Sequence, residues 1–342
     1  MKILIDAFGG DNSPEQIVLG TIDAINEKGD FDVQFVGKKD VIEQILAKEK
    51  YDEQRVSILD AEDVITCEEE PTLAIRRKPN SSICVAFKSL KEDESASAFV
   101  SAGSTGAVLV GATLKLGRIS GVNRPALCTQ MPTLVENKST YLLDLGANAD
   151  CKPINLCQFA IMGSAYAKTQ GVENPTVALL SNGTEDEKGN ALNHEVFPLL
   201  KQMKGINFVG NCEARDILYG KYDVIVADGF SGNVALKSME GAVSVVLKLI
   251  KEEVKATLKG VLGGLLLKKT FKRIKKRMDY QEKGGALFVG VNKPVIKAHG
   301  SSTRNSFKFA VLQAEKQVRL GLVDKIKEEI SELGEQIDVQ PN

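Results

Sequence analysis

The chain has 342 residues, 43% hydrophobic and 26% charged, with a formal net charge of −1. That composition suits two domains or one large α/β unit, and near neutrality gives no reason to expect a nucleic-acid partner. Six cysteines without a C-x-x-C pair and two histidines argue against a structural zinc site, and no apolar run reaches the roughly 20 residues that span a bilayer.

The chain opens on ILIDAF, read as a strand, with nothing like a signal peptide ahead of it. A cytoplasmic protein with reduced thiols is the expectation. A helix follows from about Pro14 to Lys28, then the strand DVQFVG, the amphipathic helix DVIEQILAKE and the strand RVSILDAE. Strands alternating with helices of about 10–15 residues predict βαβ units and a mainly parallel sheet. The stretch 67–97 differs, with Glu68, Glu69 and Glu70 ahead of Pro71 and with Arg76, Arg77 and Lys78 beyond it. Acids near a helix start and bases later suit the helix dipole, so a solvated helix is the simple reading. The functional alternative places Arg76, Arg77 or Lys78 at the rim of an anion site.

Five apolar runs end alike, in a polar, glycine-bearing loop followed by helix-like sequence: ILIDAFGGDNSP (3–14), AFVSAGSTGAVL (98–109), YLLDLGANADCK (141–152), VALLSNGTEDEKGN (177–190) and VIVADGFSGNVALK (224–237). A strand breaking into Gly, Ser, Asn and Asp at its C-terminal end is how an open α/β sheet positions a binding loop. Backbone amides and a helix start there favour an anion. Five such loops predict an active site along one edge of the sheet, with a phosphate-like ligand and a developing oxyanion. The last loop is expected to open a helix at about Asn233 that continues to Gly260.

The segment 260–280 is unusual. Eight bases lie between Lys259 and Arg277 with no acid among them, and Leu267, Phe271, Ile274 and Met278 recur at helical spacing. A basic amphipathic helix beside an apolar glycine-containing turn reads as a contact for an anionic membrane or an acidic partner. Packing on its own domain or on a second subunit is the alternative. The chain then returns to ALFVGVNKPVIKAHGSS, a strand pair with a polar turn, and ends in a charged helix from Ser306 to about Gly321 and a second helical stretch.

Neither the G-x-G-x-x-G dinucleotide fingerprint nor the P-loop occurs. The sequence GFSGN (229–233) approaches a nucleophile elbow, but Asn233 stands where the last glycine belongs, and Ser231 would need His194 or His299 as base.

The segments DAFGGD, SAGSTGAVL, NGTEDEKGN, FVGNCEARDI, DGFSGNVALKSMEG and KAHGSS together resemble the bacterial phosphate acyltransferases of phospholipid synthesis, the PlsX family, from Ile3 to about Gly321. The resemblance implies an α/β/α sandwich with a mainly parallel sheet, similar to phosphotransacetylases and isocitrate-type dehydrogenases. A single unit over 1–330, possibly in two lobes, would carry a protruding helical hairpin at 241–280. The implied activity is transfer of a fatty acyl group from acyl carrier protein to inorganic phosphate, by direct attack on the thioester and without cofactor or metal. The acyl phosphate would serve a membrane glycerol-3-phosphate acyltransferase. A homodimer attached peripherally to the inner face of the cell membrane is implied as well. An acetyl- or butyryl-transferase using coenzyme A is the enzymatic alternative, and an inactive membrane-associated scaffold the non-enzymatic one.

Carried onto this sequence, the family pattern points to Lys188 and Asn233 as the catalytic pair. Phosphate is already a dianion and needs positioning, charge neutralisation and a polarised carbonyl more than a base. Lys188 would supply the charge, and the Asn233 amide with neighbouring backbone amides the oxyanion hole. The candidate phosphate cradle is Gly103, Ser104, Thr105 and Gly106, with Ser104 standing where the family more usually has Asn and Phe8 where it has Met. Further substrate contacts are Asp6, Gly9 and Gly10 in the first loop and Asn148 in the third. Asn182 and Gly183 in the fourth, Asp228, Ser231 and Gly232 in the fifth, and His299 complete them. His299 reads equally as an ordinary turn histidine. For the membrane or the carrier protein the candidates are Leu265, Leu266, Leu267, Lys268, Lys269, Phe271, Lys272, Arg273, Lys276 and Arg277.

Overall fold

The computed structural model describes residues 1–278 and 283–333, leaving the side chains of Lys275, Lys276 and Met278 outside the described residues. The short apolar runs all become strands: β1 (Lys2–Asp6), β2 (Asp32–Gly37), β3 (Val56–Asp60), β4 (Ala96–Ser101), β5 (Ala126–Pro132), β6 (Ser139–Leu143), β7 (Thr176–Ser181), β8 (Asn207–Glu213), β9 (Val224–Val226), β10 (Ala286–Val289) and β11 (Val295–Lys297). They form one 11-stranded sheet in the order β3-β2-β1-β4-β11-β10-β5-β6-β9-β7-β8.

Neighbours are parallel from β3 to β11 and again from β6 to β8. Between these blocks the β11–β10, β10–β5 and β5–β6 pairs are antiparallel. Three reversals leave the two blocks running in opposite directions. The loops after β1 and β4 therefore leave one edge of the sheet, and those after β6, β7 and β9 leave the other. This corrects the expectation of a site along a single edge. The strand pair β10–β11 and the short connection from β5 to β6 supply the reversals, and local sequence carries no signal for which neighbours they choose.

Alternation along the strands loads both faces. Ile3, Ile5, Val100, Tyr141 and Leu143 pack on one side against the helices Glu15–Glu27, Pro153–Thr169, Ala191–Gln202, Arg304–Arg319 and Leu322–Leu333. Leu4, Phe99, Leu142 and Phe288 point the other way, onto Ser82–Glu92, Thr105–Gly111 and the first turns of Gly229–Lys255. The result is the α/β/α sandwich expected. The Pro153–Thr169 helix is buried along nearly its whole length because it lies centrally in its layer, so its sequence is apolar all round. Each large side chain sealed there, such as Phe159 or Tyr166, contributes about 1.5–3 kcal/mol of burial.

Two helix boundaries differ from the sequence reading. The 67–97 stretch holds two helices, Pro71–Arg77 and Ser82–Glu92. Glu70 caps the first by accepting from Thr72 N–H and Leu73 N–H, and Ser81 caps the second. The helix after β9 starts at Gly229, four residues before the expected Asn233, and Asp228 is its cap. It ends at Lys255, and the separate helices Leu258–Leu266 and Lys268–Met278 follow. Thr257 caps the second of the three, which has no buried residue. Its glycines let it close on the first: a β-carbon at Gly264 would lie 2.5 Å from Val254 Cγ1, and one at Gly260 2.5 Å from the Val254 carbonyl oxygen. The expected hairpin at 241–280 is thus helical through Met278, its last two residues lying outside the described residues.

Candidate functional site

The first two loops are knitted together from below. Asp6, at the end of β1, is sealed from solvent and accepts from Ser101 Oγ at 2.6 Å and from Phe8 N–H at 3.3 Å. Ser101 Oγ in turn accepts from Gly103 N–H at 3.0 Å. Burial pushes the Asp6 carboxyl above its ordinary range, opposed by the hydroxyls of Ser101 and Ser82, the Phe8 amide and the charge of Lys297. The glycines follow from this contact. A β-carbon at Gly9 would stand 2.5 Å from Gly103 N, and Gly10 holds φ +93° against the Gly300 carbonyl oxygen. Ser104 caps the Thr105–Gly111 helix through Ala107 N–H, and Gly106 gives room to Pro71. Asp6, Gly9, Gly10, Gly103, Ser104 and Gly106 therefore build the loop junction, and Thr105 is the residue of this group that lines a cleft.

That cleft, of about 320 Å³, lies over the middle of the sheet. Thr105, Thr129, Gly146, Asn233, Lys237, Lys297 and His299 line it. Loops from both edges meet here because the Gly229–Lys255 helix carries Asn233 and Lys237 back across the sheet face. Lys297, at the end of β11, is 8% exposed and gives two of its hydrogens to the carbonyls of Ala102 and Ala298. Burial lowers its pKa to about 8, partly opposed by Cys67, Asp6 and Asp11. Lys237 is paired with Glu240 at 2.8 Å, whereas Lys297 makes no salt bridge among the described residues. Lys297 is thus a poised cation with one ammonium donor left for a ligand.

His299 is oriented by its own turn. Ser301 N–H donates to His299 Nδ1 at 3.2 Å, and Ser301 Oγ lies 2.8 Å from the same nitrogen. The proton of the neutral ring therefore sits on Nε2. Burial, helped by Lys237 and Lys297, lowers the pKa of the ring, so the neutral Nε2–H form dominates near pH 7.

Asn233 is exposed, one turn inside its helix, and faces Gly146. A β-carbon on Gly146, where φ is +115°, would approach Asn233 Nδ2 to 3.3 Å. The glycine keeps the amide accessible. The neighbouring backbone amides are already used: Gly229 N–H donates to the Asn148 carbonyl, Ser231 N–H to Asp228 Oδ1 and Gly232 N–H to the Asp228 carbonyl. The Asn233 side-chain amide is thus an accessible donor on this side of the cleft. Gly232 is a packing glycine, since a β-carbon there would fall 2.0 Å from the Asp144 carbonyl oxygen. Gly232→Ala is expected to cost about 1–3 kcal/mol by forcing the helix start off the β6 loop. An unchanged thermal midpoint would contradict that packing.

Lys188 does not line this cleft. It is exposed in the loop after β7, its stem lying over Gly183. That loop borders a second, mostly apolar groove of about 760 Å³ that includes Asn182, Gly189, Phe230, Ser231, Val234 and Met239. Asn233 and Lys188 thus flank the same helix start from two sides. Ser231 opens on the second groove and His299 on the first, so the two do not form a nucleophile–base pair, and His194 stands exposed on the Ala191–Gln202 helix. Asn148 is buried, donating to the Pro125 carbonyl at 2.8 Å and Asp144 Oδ2 at 2.9 Å.

Two groups escaped the sequence reading. Lys297 had a signal, a lone cation closing the apolar strand VIK. Asp144 organises the third loop by accepting from the amides of Leu127, Ala147 and Asn148, and the polar run it opens carries no local signal for that role.

The sequence model of a family described as fatty acid synthesis protein matches residues 1–325. A phosphate acyltransferase from Clostridium novyi is 49% identical over 97% of this chain and 99% of its own. One from Bacillus cereus is 46% identical over 95% of this chain and 97% of its own. Among solved structures, a phosphotransacetylase from Streptococcus pyogenes superposes with a TM-score of 0.60 at 17% identity, covering 93% of this chain and 94% of its own. The last likeness is one of fold.

Proposed function

The chain belongs to this family of phosphate acyltransferases, acyltransferases of fatty acid synthesis, and we propose that it takes a fatty acyl group from acyl carrier protein and gives it to inorganic phosphate. The observation that carries the reading is the cleft, which combines a poised buried cation with two neutral donors, while Ser301, the serine hydrogen-bonded to His299, does not line it. A phosphate oxygen attacks the thioester carbonyl carbon, the C–O bond forms and the carbonyl becomes an oxyanion. Asn233 Nδ2–H and His299 Nε2–H donate to that oxygen as charge develops. The carbon–sulfur bond then breaks and the sulfur leaves as a thiolate. A thiol with pKa near 8.5 leaves without an obligatory general acid.

Lys297 holds phosphate from beneath and Thr105 donates from the side. Lys188, in the loop on the other flank of the helix start, is the second proposed charge on phosphate, carried on a flexible four-carbon stem. Purified protein given palmitoyl-carrier protein and phosphate is expected to form acyl phosphate, trapped by hydroxylamine. Turnover of short acyl-coenzyme A with none of the carrier thioester would favour the phosphotransacetylase-like alternative.

The helices Leu258–Leu266 and Lys268–Met278 support peripheral membrane attachment. Leu265 is 64% exposed, Leu266 87% and Leu267 49%, beside Lys268, Lys269, Lys272, Arg273 and Arg277. Phe271 is half-buried, and the side chain of Lys276 lies outside the described residues. Each base near an anionic surface contributes about 1 kcal/mol. Arg277 also donates to the carbonyls of Thr133 and Leu134, anchoring the hairpin to the body. Replacing Leu265, Leu266 and Leu267 with Glu is expected to abolish co-sedimentation with phosphatidylglycerol vesicles while sparing acyl transfer in solution. Undiminished co-sedimentation would end this reading. The exposed Val245, Val246, Leu249 and Ile250 on the Gly229–Lys255 helix support a homodimer through that face. The acyl phosphate would pass to a membrane glycerol-3-phosphate acyltransferase.

A further inference from the structure

A third groove, of about 560 Å³, lies behind the central cleft and is lined by Arg76, Arg118 and Arg124 with Leu109, Val110 and Leu114. The three guanidinium groups come from separate segments: the Pro71–Arg77 helix, the turn after Leu116 and the approach to β5. All three arginines are exposed, as is Leu114 at 62%. Arg118 donates to the Asn123 carbonyl, which fixes it at the rim. Glu69 is paired with Lys78 at 2.8 Å, and Glu70, whose carboxylate accepts from the amides of Thr72 and Leu73, keeps its charge and attracts Arg76. Three guanidinium groups against that one carboxylate leave the groove cationic over an apolar floor.

Its position gives it a use. The β6 loop forms part of both spaces, with Leu145 and Gly146 on the cleft and Ala147 and Asn148 on the groove. The Thr105–Gly111 helix does the same, with Thr105 on one side and Leu109 and Val110 on the other. A macromolecule seated on the groove lies next to Asn233 and His299 across one loop and one helix.

We propose that Arg76, Arg118 and Arg124 form the docking surface for the acyl carrier protein, an acidic partner that this groove holds by its carboxylates while the thioester reaches the cleft. This rests on the carrier being the acyl donor, as argued above. Guanidinium forks match carboxylate and phosphate oxygens in pairs, and Leu114 supplies apolar contact between them.

The test compares the unaltered enzyme with Arg76→Glu/Arg124→Glu, and with Arg76→Gln/Arg124→Gln as a milder pair. Expected is a rise of about tenfold or more in KM for palmitoyl-carrier protein, with a weaker salt dependence and an unchanged KM for inorganic phosphate. Fluorescence anisotropy of labelled carrier protein is expected to show the same loss of binding. Unchanged carrier KM and binding in both pairs overturn the docking surface. So does a rise confined to the phosphate KM, which would place these arginines in the phosphate site. Failure of the unaltered enzyme to use any carrier thioester overturns the donor assignment itself, and the docking surface with it.

Discussion

Asn233→Ala is expected to lower kcat with palmitoyl-carrier protein by about 10²–10³, the usual loss for one oxyanion donor. Stability is expected to hold, because the side chain is exposed and alanine is a better helix former at this position. The loss therefore reads chemistry and not folding. Lys188→Ala is the companion. Lys188 is also exposed, and its removal is expected to weaken the phosphate dependence more than the carrier dependence. If either variant kept full activity with an intact fold, the pair assignment would fail. If both lost activity while the thermal midpoint also fell sharply, the two residues would be structural.

The second large effect belongs to Lys297. Lys297→Met is expected to raise KM for phosphate about tenfold to a hundredfold, the value of a charged hydrogen bond in a partly closed site. In the unaltered enzyme the folded pKa of Lys297 is lowered to about 8. The ammonium is therefore present below that pH and lost above it, so kcat/KM for phosphate is expected to fall as pH rises through about 8. Phosphate is mostly the dianion on the alkaline side of that window, so its own titration does not produce the fall. The methionine variant is expected to show a low, flat profile there. A variant retaining the alkaline fall would assign it to another group. The same depression acts on stability with the opposite slope. Between about 8 and the ordinary 10.5 the unfolded chain binds this proton and the folded chain does not, so this group alone favours folding more as pH climbs through that window.

Much of the fold is legible locally. The strands ILID, DVQFVG and VALLS, the helix after Pro14 and the β10–β11 pair follow from apolar runs punctuated by glycine and polar residues. Asp228 as the cap of the helix after β9 was legible in principle, because an Asp three residues before a Ser amide is a standard helix start. The helix opens a turn earlier than the expected Asn233. What local sequence lacks is the reversal of strand direction between the two blocks, which depends on the neighbours that β10 and β5 choose. Because of it, loops with the same look take different tasks. Gly9 and Gly103 permit a close backbone contact, Gly146 clears the face of Asn233, and Gly232 fits against a carbonyl. Asp6 likewise resembles an anion-site residue in sequence, yet it is sealed beneath the loops. His299 was ambiguous until the Ser301 amide fixed its tautomer. Lys297 closes the strand VIK, and its burial beside the cleft gives it weight.

In the reaction proposed above, phosphate attacks the thioester directly in the cleft of Asn233, Lys297 and His299. Its most direct test mixes the enzyme with palmitoyl-carrier protein and labelled holo-carrier protein, first without phosphate and then with it. No exchange of label into the acylated carrier is expected without phosphate, and equimolar acyl phosphate and free carrier thiol are expected once phosphate is added. Label exchange in the absence of phosphate would reveal an acyl-enzyme intermediate and contradict direct attack.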